Sequence, residues 1–193
     1  MKTLIKTYAL ALLLMVAFIP QATAQTRRST NNKTTTVKRT TVNRVPSNRV
    51  VYRTPTRKVV SVRTVPNNRV LIRHNGQNYY YANNRYYTQS RGHYIVIQPR
   101  IGFRINILPP NFVRIHFNNF NYFYVDGIFY LQSNNEYEVV EPEVGTVVYE
   151  LPQDHEKVVI DGLTYYEYAN VLYEKIQING TRAYEVVGVI DME

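Results

Sequence analysis

The sequence contains no cysteine and no tryptophan. Without thiols there is neither a disulfide framework nor a thiolate metal site, so packing alone must supply stability. Acidic residues are missing from the first 125 positions: all fourteen fall at or after Asp126, although lysine and arginine run from Lys2 onward. Helical patterning is also missing. Beyond the first 24 residues, no stretch of a dozen keeps apolar positions at three-and-four spacing without a Gly, Pro or Asn-Gly interruption.

Catalytic signatures are equally scarce. No Gly-x-Ser-x-Gly, His-Glu-x-x-His or phosphate loop occurs. His74, His93, His116 and His155 have no partner at a metal-ligand spacing. Glu136, Glu138, Glu141 and Glu143 form an acidic cluster, but no Asx-rich loop or glycine turn lies between them to shape a cation site. The expectation is a protein that is not an enzyme, with no catalytic residue, no cofactor and no metal.

What is present is repetition. A constant offset of 43 carries Pro66 onto Pro109, Asn75 onto Asn118, Tyr79-Tyr80-Tyr81 onto Tyr122-Phe123-Tyr124, Tyr94 onto Tyr137, Pro99 onto Pro142 and Gly102 onto Gly145. The same step reaches Pro152, Asp161, Tyr165-Tyr166 and Leu172-Tyr173, and slips only where Gln177 to Gly180 add four residues. A period in this range signals a repeat array. The units run 65–107, 108–150 and 151–193, each near the lower size for independent folding, so they are expected to lean on one another.

Each unit reads as strands. Asn75-Gly76, Asn118-Asn119 and Asp161-Gly162 tolerate the positive φ that tight hairpins demand, and an aromatic-rich run follows each. A second such pair, Asn83-Asn84 or Asp126-Gly127, comes eight residues later, leaving room for a strand of about five residues. Tyr94 to Gln98 and Tyr137 to Val140 give a fourth strand, and a short fifth follows Gly102 and Gly145. Asn179-Gly180 predicts one further hairpin in the last unit. The fold class is all-β: three tandem antiparallel β-meander repeats after a disordered basic leader, joined as one sheet or as small barrels.

The residues Tyr122-Phe123-Tyr124-Val125-Asp126-Gly127-Ile128-Phe129-Tyr130, Glu141-Pro142-Glu143-Val144-Gly145-Thr146-Val147-Val148 and Leu151-Pro152 resemble an uncharacterised family of secreted Bacteroidetes-type envelope proteins, domain of unknown function sixty-five-fifteen. The likeness is best over Phe117 to Asp161. The first unit departs from it at Gln98-Pro99-Arg100-Ile101-Gly102, and the basic segment lies outside it. The resemblance implies an envelope location and β-repeats, and carries no activity.

Residues 1–24 have the form of a secretory signal peptide: Lys2 and Lys6, an apolar run from Tyr8 to Ile19, and Ala22-Thr23-Ala24 as a cleavage site. The run is too short to span a membrane, so the mature chain is expected to have no transmembrane segment and to be periplasmic or secreted. Residues 25–64, rich in Thr, Val and Arg, lack the bulky apolar side chains that offset folding entropy and read as a flexible segment. One echo qualifies this: Val45-Pro46-Ser47-Asn48-Arg49-Val50 resembles Val65-Pro66-Asn67-Asn68-Arg69-Val70.

The charge layout makes the chain a strong dipole, since only Lys157, Lys175 and Arg182 share residues 126–193 with the fourteen acids. The candidate anionic-surface residues are Arg27, Arg28, Lys33, Lys38, Arg39, Arg44, Arg49, Arg53, Arg57, Lys58 and Arg63. Their partner would be an anionic envelope polymer or surface; a basic end meeting an acidic end would give head-to-tail self-association or a fold-back. A signal peptide disfavours cytoplasmic nucleic acid. Tyr79, Tyr81, Tyr122, Tyr124 and Tyr165, alternating along their strands, are the candidates for stacking on sugar rings in the competing reading, a carbohydrate-binding module.

Overall fold

A computed structural model describes residues 44–54 and 59–192, all within one compact unit. The expected signal peptide and residues 25–43 lie outside the described residues. The fold is all-β, with no α-helix among the described residues and three sheets in place of one continuous sheet.

The first sheet contains β3 (Ser61–Val62), β4 (Val70–His74), β5 (Gln77–Ala82), β6 (Arg85–Ser90) and β7 (His93–Ile97), in the order β3-β7-β6-β5-β4. The second contains β8 (Arg104–Ile105), β9 (Val113–Phe117), β10 (Phe120–Val125), β11 (Ile128–Ser133) and β12 (Glu136–Val139), in the order β8-β12-β11-β10-β9. The third is assembled from β1 (Arg44–Pro46), β2 (Val51–Tyr52), β13 (Val147–Val148), β14 (Glu156–Ile160), β15 (Leu163–Tyr168), β16 (Val171–Ile178) and β17 (Thr181–Asp191). Its main path is β1-β17-β16-β15-β14-β2, with β13 also on β17.

Local chemistry explains the meanders. Asn75, Asn83, Asn84, Asn118, Asp126, Asp161 and Asn179 all sit at positive φ, which short polar side chains accept more readily than others. Each turn holds its two flanking strands in register, as in His74↔Gln77 and Phe117↔Phe120. Asn179-Gly180 closes the expected hairpin between β16 and β17 at Ile178↔Thr181, and the four extra residues include this turn. They lengthen the arms of β16 and β17, which run eight and eleven residues with a bulge at Leu172/Tyr173.

The short strands after Gly102 and Gly145 exist, but each serves the sheet that follows it. Arg104 and Ile105 pair with Glu138 and Tyr137, while Val147 and Val148 pair with Glu185 and Tyr184. Ser61 and Val62 do the same for the first sheet. Each sheet therefore takes its first strand from the stretch of chain leading into it.

The described part of residues 25–64 is folded, contrary to the expected flexible leader. β1 lies parallel to the end of β17, a 3-10 turn over Ser47–Arg49 follows, and β2 pairs antiparallel with β14 at the opposite edge. The driving force is apolar: Val45 is fully buried against Val158, Leu172, Val187 and Ile190, with Val50 and Tyr52 packed beside it. A buried valine contributes roughly 1.5 kcal/mol or more. The composition looked too polar to fold because three or four well-placed side chains, and not average hydrophobicity, anchor this segment.

One core cluster draws on all three sheets, from Tyr81 and Tyr86 through Ile105, Tyr122, Phe129 and Tyr130 to Tyr173, Tyr184 and Val186. Two joints within it differ in kind. Between the first and second sheets, the Tyr81 hydroxyl donates to the Asp126 carboxylate, and the buried Tyr86 and Tyr130 hydroxyls meet at 2.7 Å. Between the second and third, Gly127 packs so tightly that a Cβ there would lie 2.3 Å from the Tyr168 ring and 2.6 Å from Pro152.

Candidate functional site

The structure divides the sequence-predicted basic residues into three groups. Arg27, Arg28, Lys33, Lys38, Arg39, Arg57 and Lys58 lie outside the described residues. Arg44, Arg49 and Arg53 are already engaged: Arg44 reaches Glu141 at 2.8 Å, Arg49 pairs with Asp161, and Arg53 donates to the Thr164 hydroxyl at 2.8 Å. Arg63 is exposed on the first sheet. Residues 44–54 of the leader thus fold back on the acidic third sheet of their own chain.

The first sheet is where basic charge stays open. Arg63, Arg69, Arg73, Arg85 and Arg91 are exposed on it, and no acidic residue occurs anywhere in its strands and turns. None of the five has an acidic partner among the described residues. Arg69 instead lies over the Tyr80 ring, 5.7 Å from its centre, in a cation–π contact that leaves the charge accessible. Arg104, by contrast, is claimed by Glu138 at 2.8 Å. Sequence reasoning placed the attachment residues in the leader; the signal that pointed to the sheet was the absence of acids before Asp126.

The tyrosines proposed for stacking are mostly inside. Tyr122 is 1% exposed, Tyr165 6%, Tyr81 7% and Tyr124 8%, and only Tyr79 is half-buried. A ring so enclosed offers no face to a polymer, so these side chains do not form a sugar-stacking surface. Their hydroxyls act as internal ties: Tyr124 donates to the Glu150 carbonyl at 2.8 Å, and Tyr122 accepts from the Glu143 amide at 3.1 Å. Burial pushes the Tyr81, Tyr86, Tyr124 and Tyr130 hydroxyls well above the ordinary phenol range, since a phenolate there would lose its hydration. Burial likewise raises the Asp126 carboxyl above its usual range, against the opposing hydrogen bonds from Tyr81 and Asn84.

The acidic cluster of residues 136–143 is dispersed among local partners. Glu136 and Glu138 face Arg104, Glu141 holds Arg44, and Glu143 accepts from the Asn118 amide at 2.6 Å. Among the described residues no group of three His, Cys, Asp or Glu is placed to hold a metal ion. The histidines also have local contacts. His116 meets Asn121 at 2.8 Å, His155 the Pro152 carbonyl at 2.6 Å, His93 the Arg91 carbonyl at 3.3 Å, and His74 accepts from the Arg104 amide at 3.3 Å.

A cleft of about 500 Å³ opens where Arg44 and the end of β17 approach the chain after β7 and the β10–β11 turn. Phe129, Val139, Val171 and Val189 line its apolar part, with Arg100, Glu141 and Asp191 as the other charges. Its lining includes no histidine, serine or threonine, and the Glu141 carboxylate is taken by Arg44.

The chain matches the family of unknown function DUF6515 over residues 46–190. The chain belongs to this family. The matched region takes in the first sheet and also the end of β1 and all of β2, so the docked leader strand falls within the family's span and not outside it. Neither the curated proteins nor the solved structures contain a match to this chain. No helix among the described residues is long and apolar enough to cross a membrane.

Proposed function

We propose that this member of the DUF6515 family is a non-enzymatic binding or structural protein of the cell envelope, secreted through residues 1–24, that holds an anionic polymer or surface by its basic first sheet. The observation that carries the reading is the uncompensated charge of that sheet: five exposed arginines and no acid. Arg44 and Arg49, which the leader supplies, are neutralised by Glu141 and Asp161 and contribute little to attachment. Basic side chains at an anionic membrane surface gain about 1 kcal/mol each, so four or five suffice for reversible attachment without insertion.

The same reading takes the chain as three tandem copies of one 43-residue β unit. Its support is the recurrence of strand starts at Val70, Val113 and Glu156, and at Gln77, Phe120 and Leu163. The strands that open each sheet begin at Ser61, Arg104 and Val147, which moves the natural unit boundary ahead of 65, 108 and 151. No observation favours the carbohydrate-binding alternative, because the rings it needs are enclosed.

Co-sedimentation with vesicles containing anionic phospholipid tests the proposal. The full chain should pellet with them in low salt and be released as ionic strength rises toward 1 M, where the screening length falls to about 3 Å. Replacing Arg63, Arg73, Arg85 and Arg91 together by Gln should lower the vesicle affinity at least tenfold. Equal retention at both salt concentrations, or an unchanged affinity of the fourfold variant, would overturn it.

A further inference from the structure

The third sheet shows how an edge in this protein is completed. β14 is the first strand of its meander, and its outer side is paired by β2: Val158↔Tyr52 and Val159↔Val51, with the Arg53 amide donating to the Lys157 carbonyl at 3.0 Å. Two charged or polar contacts flank the added strand, Arg49 to Asp161 and Arg53 to Thr164, so a basic segment sits on an acidic sheet.

β4 is the corresponding first strand of the first sheet, and among the described residues no strand pairs with its outer side, although the Arg104 amide of β8 donates to the His74 ring at its turn end. The tight turn at Asn75-Gly76 makes His74↔Gln77 the closing pair, and antiparallel alternation then directs the backbone groups of Ile72 inward and those of Leu71 and Arg73 outward. Among the described residues no backbone group pairs with Leu71 or Arg73 from outside. Val70 and Leu71 are 50% and 48% exposed there, an apolar step on a strand edge that proteins ordinarily cover or charge. The charge is inverted relative to the third sheet: Arg69 and Arg73 bracket the step, Arg85 is exposed on the same sheet, and no acid is present.

We propose that the outer edge of β4 accepts an extended acidic segment of a partner protein as an added strand. Backbone pairing to Leu71 and Arg73 supplies the ladder, alternate β-branched side chains of the guest cover Val70 on one face, and its carboxylates meet Arg69 and Arg73 beside Leu71 on the other. The arrangement is the charge-reversed counterpart of β2 on β14. It goes beyond attachment to an envelope surface, because it requires an extended backbone in register and not charge alone.

The probe is a synthetic peptide of alternating Glu and Val, titrated into the full chain. It should bind saturably, while a peptide of equal charge interrupted by proline, and one with Lys in place of Glu, should each bind at least tenfold more weakly. Leu71→Pro removes an outward amide at an edge position where proline is tolerated, so it should lower peptide affinity at least tenfold while leaving vesicle binding unchanged. Arg73→Glu, which leaves the backbone untouched, should weaken the Glu-Val peptide at least tenfold and improve binding of the Lys-Val peptide. Equal binding of the proline-interrupted peptide reduces the effect to charge and overturns strand addition, as does an unchanged affinity in either variant. Loss of vesicle binding with peptide binding intact would remove the envelope reading and leave this one standing.

Discussion

The first and third sheets use the same strand grammar and end in opposite states. In each, a two-residue strand from the incoming chain pairs with the last strand of a four-strand meander. Residues 151–193, which supply the meander of the third sheet, carry eight of the fourteen acids, and residues 44–54 of the basic leader dock on that sheet through β1 and β2. The first sheet carries arginine and no acid, and β4 is left without a paired strand on its outer side among the described residues. Apolar patterning therefore builds both sheets, while charge and available chain decide which edge is filled. Their joints to the middle sheet also differ: hydroxyl contacts on one side, glycine-permitted close packing on the other.

The most severe test of that contrast is Val45→Asp. A carboxylate placed at a fully buried position costs several kcal/mol, so the leader should leave the third sheet. Hydrogen exchange should then show lost protection in β14 and β17 while β5 and β6 keep theirs. Next in size is the packed joint. Gly127→Ala forces a Cβ into Tyr168 and Pro152 at a φ of +82°, and should cost about 3 kcal/mol in urea unfolding from strain and overpacking combined. The same change at Gly76, also at positive φ but with open space around it, should cost about 1 kcal/mol.

The hydroxyl joint is probed by Tyr86→Phe, which strands the buried Tyr130 hydroxyl and should cost about 1–3 kcal/mol. Tyr173 gives the control: its buried hydroxyl has no hydrogen-bond partner among the described residues, so Tyr173→Phe should be neutral or stabilising by up to about 1 kcal/mol. The smallest effect concerns Asp126. Its folded-state pKa is raised by burial, so the fold binds this proton more tightly than the unfolded chain does, and that contribution is lost as pH rises from about 4 through the raised value. Asp126→Asn removes the titration and keeps an acceptor for Tyr81. Its stability relative to the native chain should improve between pH 4 and pH 7, and a constant difference would contradict the burial of this carboxyl.

The meanders were legible because Asn-Gly, Asn-Asn and Asp-Gly pairs announce positive φ. Asn75-Gly76, Asn118-Asn119, Asp126-Gly127 and Asp161-Gly162 are turns as expected. Ala169-Asn170 was not legible, since alanine at a φ of +50° carries no such signal. Strand membership across sheets was hidden for another reason. Two-residue strands such as Arg104–Ile105 are too short for periodicity, and their pairing is decided by contacts more than thirty residues away. The fold of residues 44–54 was foreshadowed by the echo of Val45-Pro46 in Val65-Pro66. Of the candidate site, the chain's charge asymmetry could be read directly, whereas the neutralisation of Arg44 and Arg49 required knowing where β1 and β2 dock.

The adjacency of entry and exit strands governs how this chain responds to tension. In the second sheet, Arg104 lies opposite Glu138 and Ile105 opposite Tyr137, so the incoming and outgoing ends leave from the same side. The first sheet has the same arrangement, with Ser61 opposite Ile95 and Val62 opposite Tyr94. A pull on the two ends peels these pairs one after another and never loads them in shear. Both sheets should therefore yield at low force in a single-molecule extension experiment, giving way in sequence as short extensible links.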